Sequence, residues 1–156
     1  MNSHVVRKAT ADDAAQILEL RKRSIQALCG ADYSEEQIEA WVGKRSVAEY
    51  QQWIDKSPFF VRTLDSKVTG YAAYNPVSEQ LLAVYVDPDY VRQGAATSLL
   101  KAVKSDARSR GLDSLWLDAS RTAVPFYEAA GFRAIKETTH SFGGVPLGCI
   151  RMESDL

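Results

Sequence analysis

One stretch constrains the fold more than any other. An apolar, β-branched segment, Leu81-Leu82-Ala83-Val84-Tyr85-Val86, ends at Asp87-Pro88, and a turn of small residues, Arg92-Gln93-Gly94-Ala95-Ala96, opens an amphipathic helix. The first turn of a helix leaves backbone N–H groups without intrahelical partners and carries the positive end of the macrodipole, so a strand feeding such a turn is a ready anion site. Gly94, Ala95 and Ala96 leave those amides open to a phosphate. The turn lacks the lysine and Ser/Thr of a P-loop and the GxGxxG of a dinucleotide fold, and close packing of a helix on a strand would use small residues too.

The flanking segments place this unit in a mixed α/β chain. Val5 to Lys8 is a short strand. Thr10-Ala11-Asp12-Asp13 then resembles a capping box, and Ala14, Ile17, Leu18, Ile25 and Leu28 recur at helical spacing up to Cys29-Gly30. Ser34-Glu35-Glu36-Gln37 and Ser46-Val47-Ala48-Glu49 are two further capping boxes, so the N-terminal third is predicted to be helical. Residues 59–63 and 68–74 form a strand pair across Asp65-Ser66, and residues 81–86 a third strand. The helix after the glycine turn places Ala96, Leu99, Leu100, Val103 and Ala107 on one face and stops at Gly111. Residues 114–118 are a strand, 124–131 a short helix with Pro125 near its start, and 133–140 with 147–152 a closing hairpin across 141–146. Strands alternate with helices only in the middle, which predicts a mixed rather than purely parallel sheet.

At 156 residues the chain fits one domain, and 46% apolar with 25% charged residues is ordinary for a globular protein. A net charge of −1 argues against a polyanionic partner, so nucleic acid is not expected. The two cysteines, Cys29 and Cys149, have neither CxxC nor Cys/His spacing, His4 and His140 are isolated, and no metal is expected. Residues 1–7 lack the apolar core of a signal peptide and no run has the length of a membrane span, so the expected location is the cytoplasm, with no membrane partner.

Val84-Tyr85-Val86-Asp87-Pro88, then Val91-Arg92-Gln93-Gly94-Ala95-Ala96 with Leu99-Leu100, resembles the acetyl-CoA-binding motif of the GNAT N-acetyltransferases, (Arg/Gln)-x-x-Gly-x-(Gly/Ala). Phe126-Tyr127-Glu128-Ala129-Ala130-Gly131-Phe132 resembles the family's later Phe-Tyr-Glu-x-x-Gly-Phe segment, in the family's order. The likeness is good over about residues 60–152 and general over the helical N-terminal part. It departs at Val91, where the family usually has arginine or glutamine. Backbone amides carry most of the contact in such turns, so valine is tolerable there, and Arg92 is a candidate for the missing cation.

The resemblance implies a single GNAT domain over residues 1–156. Its mainly antiparallel central sheet would be flanked by helices on both faces and splayed beside residues 81–86. The amides of Arg92, Gln93, Gly94, Ala95, Ala96 and Thr97 would cradle the pyrophosphate of acetyl-CoA as co-substrate. Val84, Tyr85 and Val86 would pair with the pantetheine arm as an added strand. Tyr127 would act as general acid toward the departing CoA thiolate after direct attack by a primary amine. Ser120 and Thr122 stand where the family often contacts the cofactor arm, with helix capping as the other role for their hydroxyls.

No carboxylate lies on residues 81–86 to deprotonate the amine, which leaves a water relay, Glu79, or an acid of the N-terminal helices such as Glu35. The N-terminal helical part, about residues 10–56, would shape the acceptor site, with Tyr33, Trp41, Trp53, Tyr85 and Phe142 as candidate lining or plain core. The acceptor, a small molecule or a peptide amine, is not named by these residues. The family implies a monomer or homodimer. The competing readings are a non-catalytic acyl-CoA sensor or interaction module, and a site for another phosphate ligand.

Overall fold

In the computed structural model, residues 4–156 are described; Met1, Asn2 and Ser3, part of the signal-peptide reading, lie outside them. The elements run β1 (His4–Lys8), α1 (Ala14–Leu28), α2 (Glu35–Val42), α3 (Val47–Lys56), β2 (Phe59–Leu64), β3 (Lys67–Asn75), β4 (Gln80–Val86), α4 (Ala95–Ser109), β5 (Ser114–Ser120), α5 (Val124–Ala129), β6 (Arg133–Phe142) and β7 (Val145–Asp155). The strands form one seven-stranded sheet in the order β1-β2-β3-β4-β5-β7-β6. Neighbours are antiparallel except β4 and β5.

Both faces of the central strands are covered, which explains why β2 and β3 read as continuous apolar runs rather than alternating ones. Phe60 on β2 and Ala72 and Tyr74 on β3 pack with Leu99, Leu100 and Val103 of α4 and with Tyr127 of α5. Their sequence neighbours Phe59, Val61, Tyr71 and Ala73 point the other way, onto Ala14, Ile17 and Leu20 of α1 and Tyr50 and Ile54 of α3. A smaller cluster, Ile25, Cys29, Tyr33, Trp41 and Leu147, ties α1 and α2 to β7.

The capping boxes close as predicted for α2 and α3. Ser34 Oγ accepts from Gln37 N at 3.2 Å and Gln37 Oε1 from Ser34 N at 2.9 Å; Ser46 and Glu49 repeat the exchange at 3.2 and 3.1 Å. The first box instead opens a 3-10 turn, Ala11–Asp13, and α1 begins only at Ala14. There Asp13 also accepts Thr10 N at 2.8 Å and both Arg7 guanidinium nitrogens at 2.8 and 2.9 Å, which anchors the turn to β1.

The closing hairpin is longer than predicted. Gly143 and Gly144, with φ of 54° and 83°, make a two-residue turn, so pairing runs up to Phe142↔Val145 instead of stopping six residues apart. Positive φ at both central positions matches the right-handed twist of the flanking strands, and two glycines adopt it without steric cost.

Candidate active site

The site begins where the sheet parts. β4 and β5 share a single residue pair, Gln80↔Trp116. That end is held by Trp116, whose backbone N–H donates to Glu79 O at 3.1 Å and whose indole Nε1 donates to Ser78 O at 2.9 Å. Toward Val86 the strands diverge, while β4 stays paired to β3 along its other edge.

One cleft, of about 580 Å³, runs from this gap to the start of α4. Its walls include Val84, Tyr85 and Val86 of β4, the turn residues Arg92, Gly94, Ala95, Ala96 and Thr97, and Ser120 with Tyr127. The turn is wound by two left-handed residues, Arg92 (φ 61°) and Gly94 (φ 79°), the latter being the N-cap of α4. Gln93 does not line the cleft; its carbonyl accepts a hydrogen bond from Arg62 Nη2 at 3.3 Å. Val91, the departure from the motif, does line it.

The turn is also fastened to α1. Arg23 reaches Asp87 Oδ2 at 2.6 Å and Asp89 Oδ2 at 3.0 Å, and Asp87 Oδ1 accepts Asp89 N at 2.9 Å. Asp87, only 3% exposed, therefore ends β4, caps the turn that follows it and holds α1 against both.

A second cleft, of about 200 Å³, opens through the same gap toward Tyr33 and the α2 residue Trp41. Val84, Tyr85, Ser120 and Tyr127 belong to both clefts. The ring of Tyr127 sits edge-on between Phe126 and Phe132 at 5.1 and 5.5 Å, and its hydroxyl has no hydrogen-bond partner among the described residues. Burial, with the nearby Tyr85 adding to it, pushes the phenol well above its ordinary pKa, so Tyr127 is a neutral hydrogen-bond donor throughout the physiological range. Ser120 caps the turn before α5 by accepting Ala123 N at 3.3 Å, and Thr122 donates to Asp32 Oδ2 at 2.7 Å.

The aromatic candidates divide between two adjoining spaces. Tyr33, Trp41, Tyr85 and Phe142 line the second cleft; Trp53 joins Trp41, Tyr85 and Phe142 around a neighbouring one of about 330 Å³. Tyr33 is also structural, since its hydroxyl donates to Gly148 O at 2.6 Å and accepts Arg121 N at 2.9 Å. Glu79 and Glu35, the acids singled out as bases, line none of these spaces. Cys29 and Cys149 are buried thiols whose pKa values burial pushes up.

A polar cluster that sequence reasoning did not assemble faces the second cleft. Asp118, with its side chain 5% exposed, accepts Arg151 Nε at 2.9 Å and Arg151 Nη2 at 3.1 Å, and its Oδ2 lies 2.7 Å from His140 Nε2. Burial alone would raise this carboxyl, but the bonds from Arg151 and His140 outweigh it and hold the pKa below the usual range. Arg151 stands directly opposite Asp118 across β5 and β7, whereas His140 opposes Leu147, four residues away along β7, and reaches Asp118 along the sheet face. Among the described residues no group of three or more His, Cys, Asp or Glu is placed to hold a metal ion.

Residues 29–154 match the family model described as an acetyltransferase (GNAT) domain. The chain belongs to the GNAT acetyltransferases. Within this GNAT N-acetyltransferase, the match takes in the second cleft, all of the first but its Ser24 and Leu28, and both sequence motifs. The chain is 29% identical over 138 residues to the uncharacterized N-acetyltransferase YafP of Escherichia coli, covering 88% of this chain and 86% of that protein. A solved GCN5-related N-acetyltransferase from Rhodopseudomonas palustris superimposes with a TM-score of 0.93 at 31% identity, over 99% of this chain and 96% of that one. The PaiA N-acetyltransferase from Thermoplasma acidophilum, solved in complex with coenzyme A, shares the fold at a TM-score of 0.84 and 22% identity, over 99% of both chains. No helix among the described residues is long and apolar enough to cross a membrane.

Proposed function

We propose that this enzyme transfers the acetyl group of acetyl-CoA directly to a primary amine. The observation that carries the reading is the meeting of two clefts at Tyr127, in the gap between β4 and β5. The larger one ends at the N-terminus of a fifteen-residue helix, where unpaired amides and the helix dipole favour a pyrophosphate. The coenzyme A in the Thermoplasma relative supports the same use of the fold here.

In this reading the amides of residues 92–97 hold the pyrophosphate, and Arg92 adds a positive charge where Val91 supplies none. Pantetheine lies along Val84, Tyr85 and Val86 in the space a strand would fill. Tyr127 donates a hydrogen bond to the sulfur as the C–S bond breaks. Full transfer from an ordinary phenol to a thiolate is already uphill by roughly 2 kcal/mol, and the raised pKa of Tyr127 makes it steeper, so stabilisation of developing charge is the role.

The acceptor enters from the side of α1 and α2, with its site shaped by residues 10–56 and the last hairpin. The neighbouring space carries Arg21 and Arg45 and no carboxylate among its lining residues, which favours an acceptor with an apolar or anionic body over a polyamine. Calorimetry with acetyl-CoA, ATP and NAD, followed by thiol release across a panel of amines, tests this reading. Tight binding of acetyl-CoA alone with amine-dependent thiol release is expected. Preference for a nucleotide would sink it, and binding of acetyl-CoA without release under any amine would leave an acyl-CoA sensor.

A further inference from the structure

We propose that His140, positioned by Asp118, is the base that takes a proton from the acceptor ammonium. This rests on the acetyl-transfer reading and adds the residue which that reading lacks. An alkylamine is protonated at neutral pH and must lose a proton before its nitrogen can attack a thioester. The acceptor of that proton has to stand in the second cleft, beside Tyr127, and imidazole is the side chain whose ordinary titration range spans neutral pH.

The second cleft and its rim carry these titratable and charged groups beside His140. On β5 stands Asp118; on β7, Arg151 and Cys149; Tyr33 follows α1, with Arg121 over its ring; Tyr85 lies on β4 and Tyr127 on α5. The three phenols and the thiol are pushed up by burial and stay protonated, while Asp118 is held low by its bonds from Arg151 and His140 and is a poor base. His140 is left. Its side chain is 43% exposed, which gives the proton a way out to solvent after each turnover.

Geometry sets the tautomer. Asp118 Oδ2, 2.7 Å from Nε2, accepts the proton on that nitrogen and leaves the Nδ1 lone pair to act as the acceptor. Asp118 cannot swing away, because Arg151 grips both of its oxygens and is itself stacked over Trp116 at 4.5 Å. The step balances. R–NH3+ gives one proton to Nδ1, the freed lone pair forms the C–N bond, the C–S electron pair goes to sulfur, and a second nitrogen proton ends on that sulfur. The products are amide, CoA thiol and an imidazolium paired with Asp118.

The test uses the whole protein, acetyl-CoA and two kinds of nucleophile: alkylamines (ethanolamine, phenethylamine and lysine ethyl ester), and methoxyamine, which is already neutral at pH 7. With the best alkylamine, His140→Gln should lower kcat/KM about 100-fold at pH 7 and leave the rate rising with pH only as the amine itself loses its proton to solvent. With methoxyamine it should change the rate less than threefold, and acetyl-CoA affinity should be unchanged, which shows the variant is folded. Asp118→Asn removes the carboxylate that fixes the ring and pairs with the imidazolium, so kcat/KM with the alkylamine should fall while the methoxyamine rate is spared. Equal losses with both nucleophiles, or an unaltered pH profile in His140→Gln, would overturn the assignment and leave acetyl transfer standing. Wild-type protein that binds acetyl-CoA and releases no thiol with any of these amines overturns both.

Discussion

Gln80 and Trp116 make the one residue pair that joins β4 to β5, and Trp116 secures it through an indole hydrogen bond of 2.9 Å to Ser78 O. The two strands part from this point, so the indole acts as the rivet of the gap. Trp116→Phe deletes the hydrogen bond and keeps most of the packing under Arg151. It should lower the unfolding free energy by about 1 kcal/mol in urea, with an unchanged denaturant slope.

Gly94 caps α4 in the left-handed region, φ 79°, and a Cβ there would meet open space. Gly94→Ala should therefore cost backbone strain alone, about 1–2 kcal/mol, without a clash. The new methyl group lies on the pyrophosphate turn, so calorimetry should show weaker acetyl-CoA binding as well. Full affinity in a folded variant would remove the turn from the binding site.

Tyr127→Phe leaves the contacts with Phe126 and Phe132 in place and removes a hydroxyl that has no partner among the described residues. Thermal stability and acetyl-CoA affinity should hold, while kcat with a competent amine should fall roughly 10–100-fold. Unchanged turnover would end its role at the sulfur.

Tyr74, fully buried, donates to Asp106, which Arg110 also holds at 2.9 Å. Burial raises the Asp106 carboxyl, but the bonds from Tyr74 and Arg110 bring it below its ordinary range; burial and Asp106 push the Tyr74 phenol up. A lowered carboxyl stabilises above its unfolded pKa of about 4, and that share is lost as the pH falls further. A raised phenol stabilises below about pH 10, and that share is lost as the pH rises. Tyr74→Phe should be less stable by about 1–2 kcal/mol at pH 7, with the difference shrinking at both extremes in unfolding curves taken across pH.

Both thiols are buried with raised pKa values, so neither is a thiolate at neutral pH. Protein mixed with acetyl-CoA and no amine should show its unmodified intact mass. An acetyl group on Cys29 or Cys149 would replace direct attack with a two-step route.

The elements with strong local signals were legible in the chain itself: the capping boxes at Ser34 and Ser46, the apolar face of α4, and the strand, turn and helix around Gly94. The Tyr127 segment was legible by its likeness to a family. Pairing across the sheet was not. Asp118 and His140 lie on different strands with β7 between them, in rows four residues apart at Arg151 and Leu147, and only the folded sheet brings the carboxylate to the imidazole. Leu117 and Ala119 pack with α4, so Asp118 between them faces the other way, and nothing local says what stands opposite. Gln93 shows another such long-range link: its carbonyl accepts from Arg62 Nη2 at 3.3 Å, a contact that no local pattern announces.

A sheet that parts in its middle has a thermodynamic consequence of its own. A ligand that fills the opening binds the folded chain and has no counterpart site in the unfolded one, so the folding equilibrium becomes linked to how much of that ligand is present. At a hundred times its dissociation constant, acetyl-CoA adds about 2.7 kcal/mol by mass action alone. The lifetime of this enzyme would then track the supply of its own acyl donor.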